Sequence, residues 1–185
     1  MPAPVRRRRR PTVSVLRVGH RPGRDPRLTT HLALAARAFG AARLFLHPPD
    51  SELAARIDAV TSRWGGRFQV VGAPSWADVV RDFRGTVVHL TMYGEPLKTA
   101  LPRLRRVGTV LVVVGGAKVP PGLFELADLN VGIGAQPHSE VAALAVLLHQ
   151  LLGDPSVSYF RGAQRRIVPQ RRGKRVLVQA GSRSR

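Results

Sequence analysis

Short β-rich runs alternate with helical stretches along this chain, and that alternation constrains the fold more than any other feature. Residues 13–18, 43–46, 68–71, 86–90, 109–114 and 129–133 read as strands. Helices are predicted over 30–39, 51–63, 75–83 and 139–152, with a weaker one starting at Glu95 and disturbed by Pro102. Strands separated by helices make βαβ units, so the expected fold is α/β, a mostly parallel sheet with helices on both faces. Runs 86–90 and 109–114 are largely apolar on both faces, as strands inside a parallel sheet must be. The core is expected to span 12–153. Residues 1–11 hold five consecutive arginines, Arg6 to Arg10, and are expected to be a disordered basic arm. Residues 154–185 read as a basic C-terminal β-hairpin and tail. Two strand-like runs, 165–168 and 175–179, flank PQRRGK there, and from Ser156 onward the chain has nine Lys+Arg and no acid.

Charge narrows the partners. Thirty Lys+Arg face eleven Asp+Glu, a formal charge of +19. Only Lys98, Lys118 and Lys174 are lysines, so nearly all of it is arginine, whose planar fork matches phosphate and stacks on bases. A polyanionic partner is expected, nucleic acid first and an anionic membrane surface as its competitor. Four glutamates and no cysteine leave little for paired-carboxylate catalysis and nothing for thiolate nucleophiles or zinc–thiolate sites. The basic start lacks a following apolar stretch of signal length, and the longest apolar run, 141–148, is too short to cross a bilayer. A cytoplasmic chain without a resident metal or a membrane span is therefore expected.

Ligands of parallel α/β sheets bind at the carboxyl ends of strands. Three such ends here share a glycine-rich composition: TMYG at 91–94, GGAKVP at 115–120 and GAQPHSE at 134–140. Glycine lets backbone approach a ligand closely. GGAKVP lacks the spacing of a phosphate-binding GK[ST] loop, and no G-x-G-x-x-G follows the first strand. Nucleotide hydrolysis and dinucleotide oxidoreduction both lose support. A second cluster, GHRPGRDPRLTTH at 19–31, puts His20, Arg21, Arg24 and Arg27 in one loop before a helix start, where positive potential accumulates. The helix over 139–152 is apolar almost all round, so it must be covered on more than one side. Another helix of the chain or a second subunit could do so; in a domain this small the second subunit is expected, against Leu144, Leu147 or Leu148.

RVGHRPGRDPRLTTHLALAARAFGA (17–41), VVHLTMYG (87–94), LVVVGGAKVP (111–120) and NVGIGAQPHSEVAALAVLL (130–148) closely resemble the archaeal tRNA (cytidine(56)-2′-O)-methyltransferases. The likeness runs in order over about 12–153, and IVPQRRGK resembles that family's C-terminal hairpin. The resemblance implies a SPOUT methyltransferase fold, whose C-terminal half threads a deep trefoil knot around S-adenosylmethionine. It also implies a homodimer and, as partner, a cytidine of the tRNA T-loop rather than DNA or a membrane. Carried onto this chain, the cofactor contacts fall on Leu90, on Gly115, Gly116, Ala117, Lys118 and Val119, and on Ile133, Gly134, Ala135, Gln136, Pro137, His138, Ser139 and Glu140. Two departures stand out. The family's usual glutamate after the motif glycine and small residue is replaced by Ala117. The arginine that many SPOUT ribose methyltransferases carry six residues before the glycine closing the first motif helix falls here on Leu34, with Arg37 only three before Gly40.

Under that resemblance, a ribose hydroxyl must be aligned with the methyl donor and relieved of its proton. Arginine stays charged and is a poor base. Arg21 and Arg27 are therefore expected to clamp the target phosphate and oxygen, and His20 or His31 to take the proton. The competing readings are an RNA-binding α/β protein without catalysis and a membrane-surface protein held by its basic ends.

Overall fold

The computed structural model describes residues 10–24, 26–116, 118–155 and 160–179. The arm read over 1–11 falls outside these except for Arg10 and Pro11, and so does 180–185 of the tail.

Six strands form one sheet: β1 (Thr12–Val18), β2 (Arg43–His47), β3 (Gln69–Gly72), β4 (Thr86–Pro96), β5 (Thr109–Val114) and β6 (Leu129–Gly132). Their order is β3-β2-β1-β5-β4-β6, and every pairing is parallel. Alternation along β1 and β5 sends side chains to two cores. Val13, Val15, Val110, Val112 and Val114 face the larger core, and Leu16, Val18, Leu111 and Val113 face the smaller. The larger core is roofed by α1 (Pro26–Ala38), α2 (Ser51–Trp64), α4 (Leu97–Leu104) and α6 (Glu140–Leu152). The smaller lies under α3 (Trp76–Asp82) and α5 (Gly122–Leu126). Burying a large aliphatic side chain contributes about 1.5–3 kcal/mol, so these two layers hold the sheet between them.

Local chemistry fixes the helix starts. Asp50 accepts from the Leu53 N–H at 2.9 Å to cap α2, and Ser75 accepts from the Asp78 N–H at 3.2 Å to cap α3. Ser139 does the same for α6, with Glu140 in its first turn. α1 begins at Pro26, earlier than the start at residue 30 that the sequence predicts. Proline at a first helical position gives up only an N–H that would be unpaired there anyway. Arg27 thus lies in a helix turn. β4 likewise continues through TMYG to Pro96, because β6 supplies partners for Glu95 and Pro96 beyond a register shift after Leu90.

The three leucines expected against a second subunit are instead covered by helices of the same chain. Leu144, Leu147 and Leu148 are fully buried in the larger core, alongside Leu32, Ala33 and Ala36 of α1 and Ala100, Leu101 and Leu104 of α4. α1 and α4 cover that face of the helix, while Ala142, Val146, His149 and Gln150 stay exposed. β7 (Arg165–Val168) and β8 (Arg175–Val178) pair antiparallel as a separate two-stranded sheet. Such a ribbon is marginal alone. The segment before it is tied to the end of α2 by Gly66 N–H to Arg161 C=O and Gln164 N–H to Arg63 C=O. Phe160 lies 4.7 Å below the Arg37 guanidinium.

Candidate active site

Parallel strands put all their carboxyl ends on one edge of the sheet. At that edge the ends of β4 and β5, the segment after β6 and the start of α6 enclose a cavity of about 600 Å³, within the range of small-molecule sites. A larger cleft, about 1030 Å³, contains Gly40, Arg43, Gly65, Phe68 and Gln69. These belong to strand starts and the ends of α1 and α2, the edge where this architecture does not place ligands.

Eight of the residues assigned to a cofactor line the smaller cavity: Leu90, Gly115, Gly116, Lys118, Val119, Ile133, His138 and Glu140. Gly134, Ala135, Gln136, Pro137 and Ser139 share the loop but are not among its lining. Ala117 lies outside the described residues. Thr91, Met92 and Tyr93 also line it, together with His89, Phe124 and Ala143, which the sequence did not single out. Backbones crowd at its rim. A Cβ added to Gly94 would stand 2.4 Å from the Val131 nitrogen and 2.5 Å from the Asn130 carbonyl oxygen.

Two buried polar residues lie on opposite faces of the sheet here, His89 in the cavity lining and Arg17 behind two lining residues, Gly115 and Glu140. Arg17, 1% exposed near the end of β1, donates to the Gly115 carbonyl at 2.9 Å and reaches Glu140 Oε1 at 3.4 Å. It ties the end of β1 to the loop after β5 and to the first turn of α6. Its Nε has no partner among the described residues. On the other face His89 is fully buried, edge-on to the Phe124 ring at 4.6 Å between centroids. Burial pushes its pKa below the ordinary imidazole value, against a smaller opposing effect of its hydrogen bond to Asn130. Both residues carried a faint sequence signal, as a lone arginine in TVSVLRV and a lone histidine in TVVHL.

Glu140→Ala leaves the Arg17 guanidinium buried with, among the described residues, a carbonyl as its remaining acceptor. Breaking a buried ion pair from one side costs about 3–5 kcal/mol. The Glu140 side chain keeps 27% exposure, so a loss near the lower end, about 3 kcal/mol, is expected in denaturant unfolding. Adding Arg17→Met should restore most of it, because methionine fills the space without a charge. A Glu140→Ala variant as stable as the parent contradicts the pairing.

The basic cluster before α1 divides. Arg21, Arg24, Arg27 and His31 are exposed, and neither they nor His20 line the cavity. His20, offered by the sequence as a proton acceptor beside His31, stands apart from the rest of the cluster. It is 1% exposed, with Nε2 3.0 Å from Asp50 Oδ2 and Nδ1 2.8 Å from the Thr29 hydroxyl. Asp50 is held below the usual carboxylate range by the Leu53 N–H and then by His20, so it is ionised and accepts the Nε2 proton. The Thr29 hydroxyl meets the other nitrogen, so both ring nitrogens have partners within the protein. His20 therefore pins the loop to α2.

Asp50→Ala removes a helix cap and this anchor together, and a loss of about 1–2 kcal/mol is expected in denaturant unfolding at neutral pH. Because the folded-state pKa is depressed, the stabilisation is present above the unfolded carboxylate value of about 3.9 and is lost as pH falls through the lower folded value. The gap between parent and variant should therefore close below about pH 4. A gap independent of pH would show that Asp50 contributes no charge-linked stability.

Among the described residues no group of three metal-binding side chains occurs, and no helix is long and apolar enough to cross a membrane. Comparison with known proteins points one way. Residues 64–177 match the family model of tRNA ribose 2′-O-methyltransferases. The chain is 51% identical over 165 residues to the tRNA (cytidine(56)-2′-O)-methyltransferase of Archaeoglobus fulgidus, covering 89% of this chain and 98% of that one. Its fold resembles a solved RNA 2′-O ribose methyltransferase with a TM-score of 0.58 and 19% identity, over 82% of this chain and 61% of that one. It also resembles the SpoU methyltransferase AviRb from Streptomyces viridochromogenes, solved in complex with AdoMet, with a TM-score of 0.51 and 16% identity over 79% and 63% of the two chains.

Proposed function

The chain belongs to the tRNA ribose 2′-O-methyltransferase family, and from that premise we infer that it methylates the ribose 2′-hydroxyl of cytidine 56 in tRNA, using S-adenosylmethionine. The observation that carries this reading is the 51% identity to the Archaeoglobus fulgidus enzyme along nearly its whole length. The excess of arginine then answers to tRNA phosphates, and the cytoplasm is the compartment that suits such a substrate. A relative named for catalysis disfavours the binding-only and membrane-surface readings.

The strand-end cavity suits the cofactor. Its volume fits a nucleoside-sized ligand, and Gly115 and Gly116 expose backbone to it. Residues 90, 115–119 and 133–140 would hold the cofactor, and Arg17 fixes the Gly115 carbonyl among them. When bound, S-adenosylmethionine supplies an electrophilic methyl group. The protein's task is alignment of the ribose oxygen, worth up to roughly 7–11 kcal/mol in favourable cases. Arg21 and Arg27 project from the segment after β1, whose neighbour β5 ends at the cavity, so both stand on the edge where the ribose must arrive. They clamp its phosphate and oxygen, and His31 is the remaining histidine of the cluster that takes the proton. A trefoil knot is supported by the order β1-β5-β4-β6, in which the chain passes from β5 across β4 to reach β6, and by the close packing of Gly94 on Val131. We assign the catalytic domain to 12–153, with a homodimer as the working assembly. The flanking segments 1–11 and 154–185 add sequence-blind phosphate contacts.

The reading is tested by incubating purified protein with methyl-labelled S-adenosylmethionine and tRNA transcripts. Label in the tRNA is expected. Its absence, with the protein folded and the transcript intact, overturns the reading.

A further inference from the structure

His89 sits where a structural histidine has no reason to leave a nitrogen unused. Its Nδ1 lies 2.9 Å from Asn130 Oδ1. The Asn130 amide cannot be reversed without loss, because its Nδ2 donates to the Phe124 carbonyl at 2.9 Å. An oxygen therefore faces Nδ1, and oxygen only accepts, so Nδ1 carries the proton. The ring is buried and its basicity reduced, which keeps it neutral near pH 7. Nε2 is then a bare lone pair. It is buried, has no partner among the described residues, and belongs to a side chain that lines the cofactor cavity. Orphaned buried acceptors are rare in native proteins.

We propose that His89 Nε2 accepts a hydrogen bond from a neutral donor on the adenosine portion of the cofactor, the adenine amino group or a ribose hydroxyl. The inference rests on the methyltransferase reading above and adds to it the atom that reads the nucleoside. A lone pair in this position rejects a second acceptor as firmly as it welcomes a donor, so His89 discriminates among nucleosides. Phe124, edge-on to the imidazole and also lining the cavity, gives the same ligand an apolar flank. Asn130 is thus the positioning residue that sets the tautomer, and Phe124 supplies the carbonyl that orients Asn130.

The test uses binding, separately from turnover. Titration of the parent with S-adenosylhomocysteine and with S-inosylhomocysteine, whose purine carries a carbonyl in place of the amino group, is compared with the same titrations of His89→Phe. If the amino group is the donor, the parent prefers the adenosine form by about tenfold, and His89→Phe loses that preference. If a hydroxyl is the donor, the 2′-deoxy or 3′-deoxy analogue shows the coupling instead. Nitrogen-15 spectroscopy of the parent checks the same point without a mutation. The unprotonated Nε2 resonance of His89 should move toward lower frequency when S-adenosylhomocysteine is added, and its Nδ1 proton should persist. Equal losses for every analogue in His89→Phe, or an Nε2 resonance unmoved by bound ligand, overturn the assignment while leaving the methyltransferase reading in place. Failure of the folded parent to bind S-adenosylhomocysteine overturns both.

Discussion

Gly115→Val is expected to abolish binding of S-adenosylhomocysteine while leaving thermal stability within a few degrees of the parent. Gly115 follows the last residue of β5, so the buried run Val110–Val114 is untouched by the change. The space beside it is already taken. A Cβ built there would stand 2.3 Å from Cγ2 of Val119, so even alanine displaces the far wall of the loop. Valine adds two further methyls at a point that borders the cavity. The Gly115 backbone cannot swing away without giving up its 2.9 Å hydrogen bond from Arg17. Its φ is not in the left-handed region, so the effect is steric crowding of the ligand rather than backbone strain. Gly115→Ala should lie between parent and valine. Calorimetric affinity within threefold of the parent for Gly115→Val would remove the loop after β5 from the cofactor site.

Arg27→Ala should lower single-turnover methylation by about a hundredfold once tRNA is saturating, with a much smaller loss of tRNA affinity. Removing one well-placed donor to a developing oxyanion costs on that order. A contact to phosphate alone would show the opposite pattern, weaker binding with turnover kept at saturation. The expectation comes from position. Arg27 is exposed on the first turn of α1, just beyond the loop that follows β1, and β1 lies beside the strand that ends at the cavity. If Arg27→Ala matched the parent at saturating tRNA, the catalytic assignment would move to Arg21 or His31. His20 is less favoured for it, being 1% exposed and outside the cavity lining.

The contrast between these residues shows what sequence can and cannot reveal. β5 was legible to the residue, because an unbroken apolar run of that length has few other uses in an α/β chain. α6 and its serine cap were legible for the same local reasons. α1 was read late because proline and arginine around Pro26 suggest a loop, whereas a helix's first turn tolerates both. The continuation of β4 past Leu90 depends on β6, nearly forty residues on, and no local pattern encodes that pairing. α5, a five-residue helix directly after a proline pair, is too short to carry a period.

In the site, glycine-rich strand ends could be recognised from composition and placed by the parallel topology. Partners distant in sequence could not. His20 looks like a free imidazole until Asp50 is folded against it. Arg17 and His89 look like interruptions of apolar strands until Glu140 and Asn130 arrive from 123 and 41 residues away. The apolar circumference of α6 implies a second neighbour for its leucines, but which helix covers them is a tertiary fact.

The measurement closest to the central claim is mass spectrometric mapping of a tRNA transcript after incubation with the protein and S-adenosylmethionine. The nuclease fragment containing cytidine 56 should gain the mass of one methyl group, located on the ribose, and a transcript with 2′-deoxycytidine at that position should gain none. A methyl group on a base, or on the ribose of any other nucleotide with cytidine 56 unmodified, would contradict the assignment.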